Sequence, residues 1–262
     1  MSALPVKRAS LLGALFFFAL PLFASTECGP HQLPDWQIVR HVHDGDSLKL
    51  ADQRKIRLIG INTPELARDD QPEQAFAQAA RMRLDDEIKR ANNRVGLVYD
   101  AKLKDRYGRT LAHLFLQDGT NITELLLRQG LGSLVAISPN LKYNECYVNA
   151  QQHARKNELN LWRKGNTRII DVDKSSSLTR GFQHVRGTVT NVGRRGRNTW
   201  LDLGDALSIQ IADNDLEYFK LDRLWPLSHL QGRIIEVSGW IYTIRGQYRL
   251  RIHHPSVFHA LE

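Results

Sequence analysis

Short apolar stretches with strand character open the body of the chain. Gln37 to Val42 alternates loosely, and Ser47 to Leu50 and Lys55 to Ile61 are apolar and bounded by polar turns. Asp44-Gly45 and Ala51-Asp52-Gln53 supply those turns, so a meander is expected here. The period then changes. From Glu73 to Ala91, Phe76, Ala80, Leu84 and Ile88 recur every fourth residue, which predicts an amphipathic helix with Pro72 at its first turn. Val95 to Tyr99 and Thr110 to Leu116 read as two further strands. Asn121 is placed to cap a short helix through Gln129, with Gly130 as its stop, and a third helix is expected from Asn144 to Leu161. Short strands followed by helices predict a small closed barrel with helices packed outside, a mostly β arrangement of α+β class.

Residues 163–180 are polar, and Asp173-Lys174-Ser175-Ser176-Ser177 has the composition of a linker. Beyond it the pattern is β-rich. Val185 to Val189, Trp200 to Leu203, Leu207 to Ile211, Ile234 to Trp240 and Tyr248 to His253 read as strands, with turns at Gly204-Asp205 and Arg245-Gly246. Leu216 to Leu230, broken by Pro226, sits between the third and fourth. Five strands with a helical insertion after the third describe a second, smaller OB-like β-barrel. The expected organisation is a leader at 1–25, a first domain at 26–165, a linker at 166–180 and a second domain at 181–262.

The leader is expected from Lys7 and Arg8, followed by the apolar run Leu11 to Ala24 and then small residues. That is the pattern of a secretory signal, and the run is short for a spanning helix. The chain carries 36 Lys+Arg against 28 Asp+Glu, a net +8, which favours polyanionic partners such as nucleic acid. Removing the leader with its two cations leaves +6. Cys28 and Cys146 are the two cysteines. In an exported chain an even count predicts a disulfide, whereas two widely separated thiols do not make a zinc site.

Acids and arginines of the first domain gather in three places: the turn Asp44-Gly45-Asp46, the run Arg57-Leu58-Ile59-Gly60-Ile61-Asn62-Thr63-Pro64-Glu65, and Asp105-Arg106-Tyr107-Gly108-Arg109. Each alone is bland, because Asp-Gly-Asp turns are usually solvated. In this order they resemble the staphylococcal nuclease family, a resemblance that runs from about Asp35 to Trp162. It implies a five-stranded OB-type barrel with three helices that hydrolyses DNA and RNA with Ca²⁺, leaving 3′-phosphate ends. Position by position, it makes Asp46 a direct calcium ligand and Asp44 a carboxylate near the ion. Asn62 stands at the second ligand position, and Thr63 offers its backbone carbonyl. Glu65 matches the carboxylate that activates water. Arg57 and Arg109 match the phosphate-gripping pair, with Tyr107, and Arg106 beside it, at the substrate.

The residue types suit the chemistry. Guanidinium forks donate paired hydrogen bonds to the oxygens of a crowded phosphorus without losing their protons, and hard oxygen ligands suit Ca²⁺. One departure matters: Asn62 has an amide where the family commonly has a carboxylate, which lowers ligand charge and predicts weaker calcium binding. Asp44 or Asp69-Asp70 are the nearby acids able to compensate. The segment Ser133 to Asn140 also lacks the tyrosines of the best-known member. In the second domain, Arg194-Arg195-Gly196-Arg197 followed by Trp200 suits single-stranded nucleic acid, with a soluble turn and a core tryptophan as the alternative. The leading reading is an exported Ca²⁺-dependent endonuclease. The alternative is a catalytically degenerate nucleic-acid-binding protein on the same fold.

Overall fold

The structure, a computed structural model, describes residues 28–68, 71–174, 178–221 and 227–261. The expected leader, Asp69-Asp70, the serines of the linker and Pro226 lie outside the described residues. The first core is built from β1 (Asp35–Val42), β2 (Ser47–Leu50), β3 (Lys55–Leu58), β4 (Ile61–Asn62), α1 (Ala77–Arg90), β5 (Arg94–Val98), β6 (Thr110–Phe115), α2 (Ile122–Arg128), β7 (Ser133–Leu134) and α3 (Asn144–Lys156). Strands β1-β2-β3-β6-β5 close into a barrel, with β3 and β6 parallel and β1 pairing with both β2 and β5.

The stretch Lys55–Ile61, expected as one strand, divides in two. Gly60 has φ +91°, and a Cβ there would lie 2.3 Å from the Tyr147 ring. The chain therefore turns out of the barrel, and β4 pairs with β7 instead. Helix α1 starts at Ala77 rather than Glu73 because Phe76 occupies the left-handed region at φ 70°. The residues before it do other work: Gln74 N–H donates to the Glu65 carbonyl, and Glu65 N–H donates to Gln74 Oε1. From Ala77 on, Ala80, Leu84 and Ile88 are buried against the barrel, the leucine and isoleucine each contributing about 2–3 kcal/mol. Asn121 caps α2 as expected, accepting from Glu124 N–H, and Gly130 follows at φ +68°. Helix α3 stops at Lys156, short of Leu161, since Glu158 and Asn160 have positive φ, and a 3-10 turn at Asn160–Trp162 follows. The Cys28–Cys146 disulfide joins the start of the described chain to α3.

The second core is built from β8 (Ile169–Asp171), β9 (Gly181–Thr188), β10 (Asn191–Arg195), β11 (Asn198–Leu203), β12 (Leu207–Ala212), α4 (Leu216–Leu221), β13 (Ile234–Ile244), β14 (Gln247–Ile252) and β15 (Phe258–Leu261). Strands β9 and β10 flank Val189-Thr190 and act as one bent strand. Its first half pairs with β13 and its second half with β11, while β12 and β14 run parallel. The sheet thus rolls up with the same strand order as the first barrel. The expected basic turn is shorter than its sequence: Arg194 and Arg195 end β10, and Gly196-Arg197 make the turn.

Polar groups tie the two cores together. Arg155 on α3 forms an ion pair with Glu236 on β13 and lies 4.3 Å over the Trp162 ring. His184 on β9 meets Ser133 Oγ at 3.1 Å and the Trp162 ring edge-on at 5.3 Å. Burial, then the nearby Arg155 charge, pushes the His184 imidazole down to about 4. A histidine depressed this way contributes stability that is complete above about pH 6.5 and is lost as pH falls toward 4, at most about 3 kcal/mol. Denaturant unfolding of the His184→Gln variant should therefore cost less at pH 4.5 than at pH 7.5. An equal cost at both values would contradict this account.

Candidate active site

The Asp-Gly-Asp turn is packed, not solvated. A Cβ on Gly45 would sit 2.6 Å from Ala80 Cβ and 2.8 Å from Thr63 Cγ2, so only glycine lets α1 and Thr63 close over the turn. Asp44 and Asp46 are consequently 6% and 5% exposed, rare values for carboxylates. Asp46 is anchored on every side. Its Oδ2 accepts from Thr63 N–H at 2.9 Å and faces Arg57 Nη2 at 3.1 Å, and its Oδ1 accepts from Ser47 Oγ at 2.9 Å. Asp44 Oδ1 takes the Asp46 N–H, and Oδ2 meets Arg68 Nη2 at 3.2 Å. Burial, reinforced by the Asp46 carboxylate beside it, pushes the Asp44 carboxyl up to about 6. Two carboxylates held this close accumulate negative potential that a cation relieves.

Arg57 reaches the turn from β3. Its Nη1 donates to the Leu58 carbonyl at 2.8 Å, and its Nη2 meets Asn62 Oδ1 at 3.4 Å as well as Asp46. Only 11% of the side chain is exposed, so the fork is fixed. Asn62 comes from β4 on the other side of the Gly60 turn, with its Nδ2 3.4 Å from the Thr63 carbonyl. Glu65 follows Pro64. Its backbone is clamped by Gln74, while its carboxylate is exposed and lies 3.5 Å from Arg68 Nη2.

Arg109 arrives from the loop before β6. Asp105 organises that loop, its Oδ1 accepting from the N–H groups of Tyr107 and Arg109 and its Oδ2 from Arg109 Nε at 2.7 Å. Burial opposes ionisation of Asp105, but these hydrogen bonds, Arg109 Nε foremost, hold its carboxyl below the usual carboxylate range. Arg109 Nη1 is then 3.5 Å from Ser47 Oγ, one hydrogen-bonded side chain from Asp46. Tyr107 is exposed and carries the Arg106 guanidinium 4.7 Å over its ring. The structure thus brings together Asp44, Asp46, Arg57, Asn62, Thr63 and Glu65, with Arg109 and Tyr107 at the rim.

A family model described as a staphylococcal nuclease homologue matches residues 55–164. The thermonuclease of Staphylococcus intermedius is 36% identical over 130 residues, covering 48% of this chain and 76% of that relative. The thermonuclease of Staphylococcus hyicus is 37% identical over 132 residues, covering 48% and 75%. The chain belongs to the staphylococcal nuclease family. The matched model of that family of nuclease hydrolases spans the first barrel from β3 onward and ends just before the second core begins.

Within this nuclease frame, Arg68 is a site residue that the sequence did not announce. It bridges Asp44 and Glu65 from a loop outside helix and strand, where no periodicity marks it. The oxygen donors present, two carboxylates, the Asn62 amide oxygen and the Thr63 carbonyl, are of the hard type that fits Ca²⁺. Their formal charge is low, however, and both carboxylates already face arginines. Among the described residues no cluster of three or more His, Cys, Asp and Glu side chains is arranged for a metal. The arginines expected at nucleic acid in the second barrel are exposed, and two of them form surface ion pairs. Arg194 pairs with Asp213 and Arg195 with Asp202, and Trp200 is a buried ring flanked by Arg195 and Arg249 at 5.3 and 5.0 Å. Trp200 is buried under these guanidiniums on the outer face of the sheet, opposite Gln210, and is not part of the core, and Arg197 sits in the tight turn beside it.

Proposed function

We propose that this protein is an exported, Ca²⁺-dependent endonuclease that hydrolyses phosphodiester bonds of DNA and of RNA. The observation that carries the reading is the convergence of Arg57 and Glu65, from one run of the chain, and Arg109, from another, around the buried Asp44/Asp46 turn. Arg57 and Arg109 would hold the scissile phosphate between them, donating to its non-bridging oxygens as charge builds on a five-coordinate phosphorus. Glu65, exposed and held by Gln74 through its backbone, would take a proton from the attacking water as the new P–O bond forms and the bond to the leaving oxygen breaks. Tyr107, with Arg106 stacked on it, flanks the phosphate at the rim. Asp46, Asp44, Asn62 and the Thr63 carbonyl would hold Ca²⁺, which when bound compensates phosphate charge and lowers the cost of deprotonating water. Arg68 keeps the Asp44 and Glu65 carboxylates paired and must yield as substrate and cation are taken up.

Purified protein incubated with plasmid or with single-stranded RNA should cleave both with Ca²⁺ and neither with excess chelator. Glu65→Gln should lower turnover by about 10²-fold or more, the range for a positioned acid–base group. Asn62→Asp should lower the Ca²⁺ concentration for half-maximal rate by about tenfold, since ligand charge sets affinity. Metal-independent cleavage, or none at all, would leave the reading without support.

A further inference from the structure

The second barrel is not a remote appendage. A cleft of about 550 Å³ runs between the two cores, and the catalytic arginines form one of its walls. Arg57, Arg106, Tyr107 and Arg109 line it from the first barrel, and Phe182, Trp240, Tyr242 and Arg251 from the second. The second-barrel residues lie on the outward face of one sheet surface. Trp240 and Phe182 are directly opposed across β13 and β9, with rings 5.0 Å apart and edge-on. Tyr242 lies two residues further along β13, on the same face, with its hydroxyl fixed by Gln210 at 2.8 Å. Alternation along β13 buries Val237 and Ile241 inside the barrel and turns Trp240 out, 41% exposed, whereas Trp162 and Trp200 are buried. Ser238 lines the same cleft, and its buried Oγ has no hydrogen-bond partner among the described residues.

We infer that the Phe182–Trp240 face of the second barrel is a base-stacking subsite for single-stranded nucleic acid, receiving the nucleotides that flank the phosphate held by Arg57 and Arg109. This rests on the nuclease reading above. An aromatic pair with an exposed Trp240 beside a half-buried Phe182, opposite fixed cations, is complementary to one kind of polymer, which alternates flat π faces with phosphates. The first barrel supplies a single ring to the cleft. Its cleft segment Leu134–Ser138 contains no aromatic residue, leaving Tyr107 as its contribution. The cleft's size is that of a small-molecule site, which admits unstacked nucleotides and not a paired helix. Arg251, which also faces Asp215 at 3.4 Å, and the Ser238 hydroxyl line the same cleft. The ties made by Arg155–Glu236 and Ser133–His184 hold the two walls in register.

The test is fluorescence anisotropy in excess chelator, so that nothing is cleaved, with a labelled oligothymidylate and an abasic strand of equal length. Wild-type protein should bind the base-bearing strand about tenfold or more tightly than the abasic one, in line with stacking energies per base. Phe182→Ala/Trp240→Ala should abolish that difference, and Trp240→Phe should keep most of it. A variant that loses affinity for both strands equally, or for neither, overturns the proposal. Thermal melting verifies that the variant is folded, and Trp240→Phe decides the matter if the double variant is not. Plasmid cleavage with Ca²⁺ separates the two readings. Base-dependent binding without cleavage would sink the nuclease assignment and spare the subsite, and cleavage without base-dependent binding would do the reverse.

Discussion

Arg57→Ala is expected to damage the protein twice over, and the two losses are measurable apart. Turnover should fall by about 10²–10³-fold, the usual effect of removing one donor aimed at developing charge. The metal-free protein should also lose about 3–5 kcal/mol of stability, because Asp46 would stay buried without its cation. Saturating Ca²⁺ should recover part of the stability and none of the turnover, since a second cation can pair with Asp46 but cannot replace a guanidinium fork. Arg57→Lys retains charge without the fork, so it should keep most of the stability while turnover stays well below wild type. Steady-state kinetics and urea unfolding with and without Ca²⁺ check both arms. If Arg57→Ala lost less than tenfold in turnover, Arg57 would be a structural partner of Asp46 and no more.

Much of this site was legible because its parts are local. Asp44-Gly45-Asp46 and the run from Arg57 to Glu65 are contiguous, and family resemblance orders them. The barrels were legible for the same reason: each strand is short and flanked by its own turn. What the sequence hid is long-range or conformational. Phe76 looks helical by spacing, but a left-handed φ removes it from α1 so that Gln74 can clamp Glu65. Arg68 looks like any surface arginine until the loop fold sets it against Asp44 and Glu65. In the second barrel, the basic cluster with its tryptophan suggested nucleic acid, yet Trp200, opposite Gln210 on the outer face, is covered by Arg195 and Arg249, and Arg195 also pairs with Asp202. Trp240 has no basic neighbour beside it in sequence and reads as the end of a strand, although strand alternation places it on the outer face. A charge near an aromatic in sequence can meet it in space and yet cover the ring instead of presenting it, as Arg195 does to Trp200, because a β-barrel also brings in neighbours from other strands, here Arg249.

Removing the Cys28–Cys146 disulfide should destabilise the protein about as much as Arg57→Ala does, without touching the site directly. The bridge closes a loop of 118 residues. The chain-entropy relation assigns about 5 kcal/mol to a loop of that length, a large part of the 5–15 kcal/mol that ordinarily separates a folded domain from its unfolded chain. The loss should not stay where the sulfurs are. Cys146 lies on α3, and the same helix places Gln151 Oε1 on Leu134 N–H at 2.7 Å and Arg155 on Glu236. Leu134 belongs to β7, which pairs with β4, the strand that carries Asn62. Loosening α3 therefore relaxes both the contact between the barrels and the support beneath the site. Cys28→Ser/Cys146→Ser should lower the urea midpoint by an amount equivalent to about 3–5 kcal/mol, and activity should be lost at a lower temperature than wild type's. Wild-type protein held in reductant should behave as the variant does. A shift below about 1 kcal/mol would mean that the packed helix, and not the covalent link, fixes the two ends of the first barrel. Stable disulfides are usual in oxidising compartments, in keeping with the export proposed above.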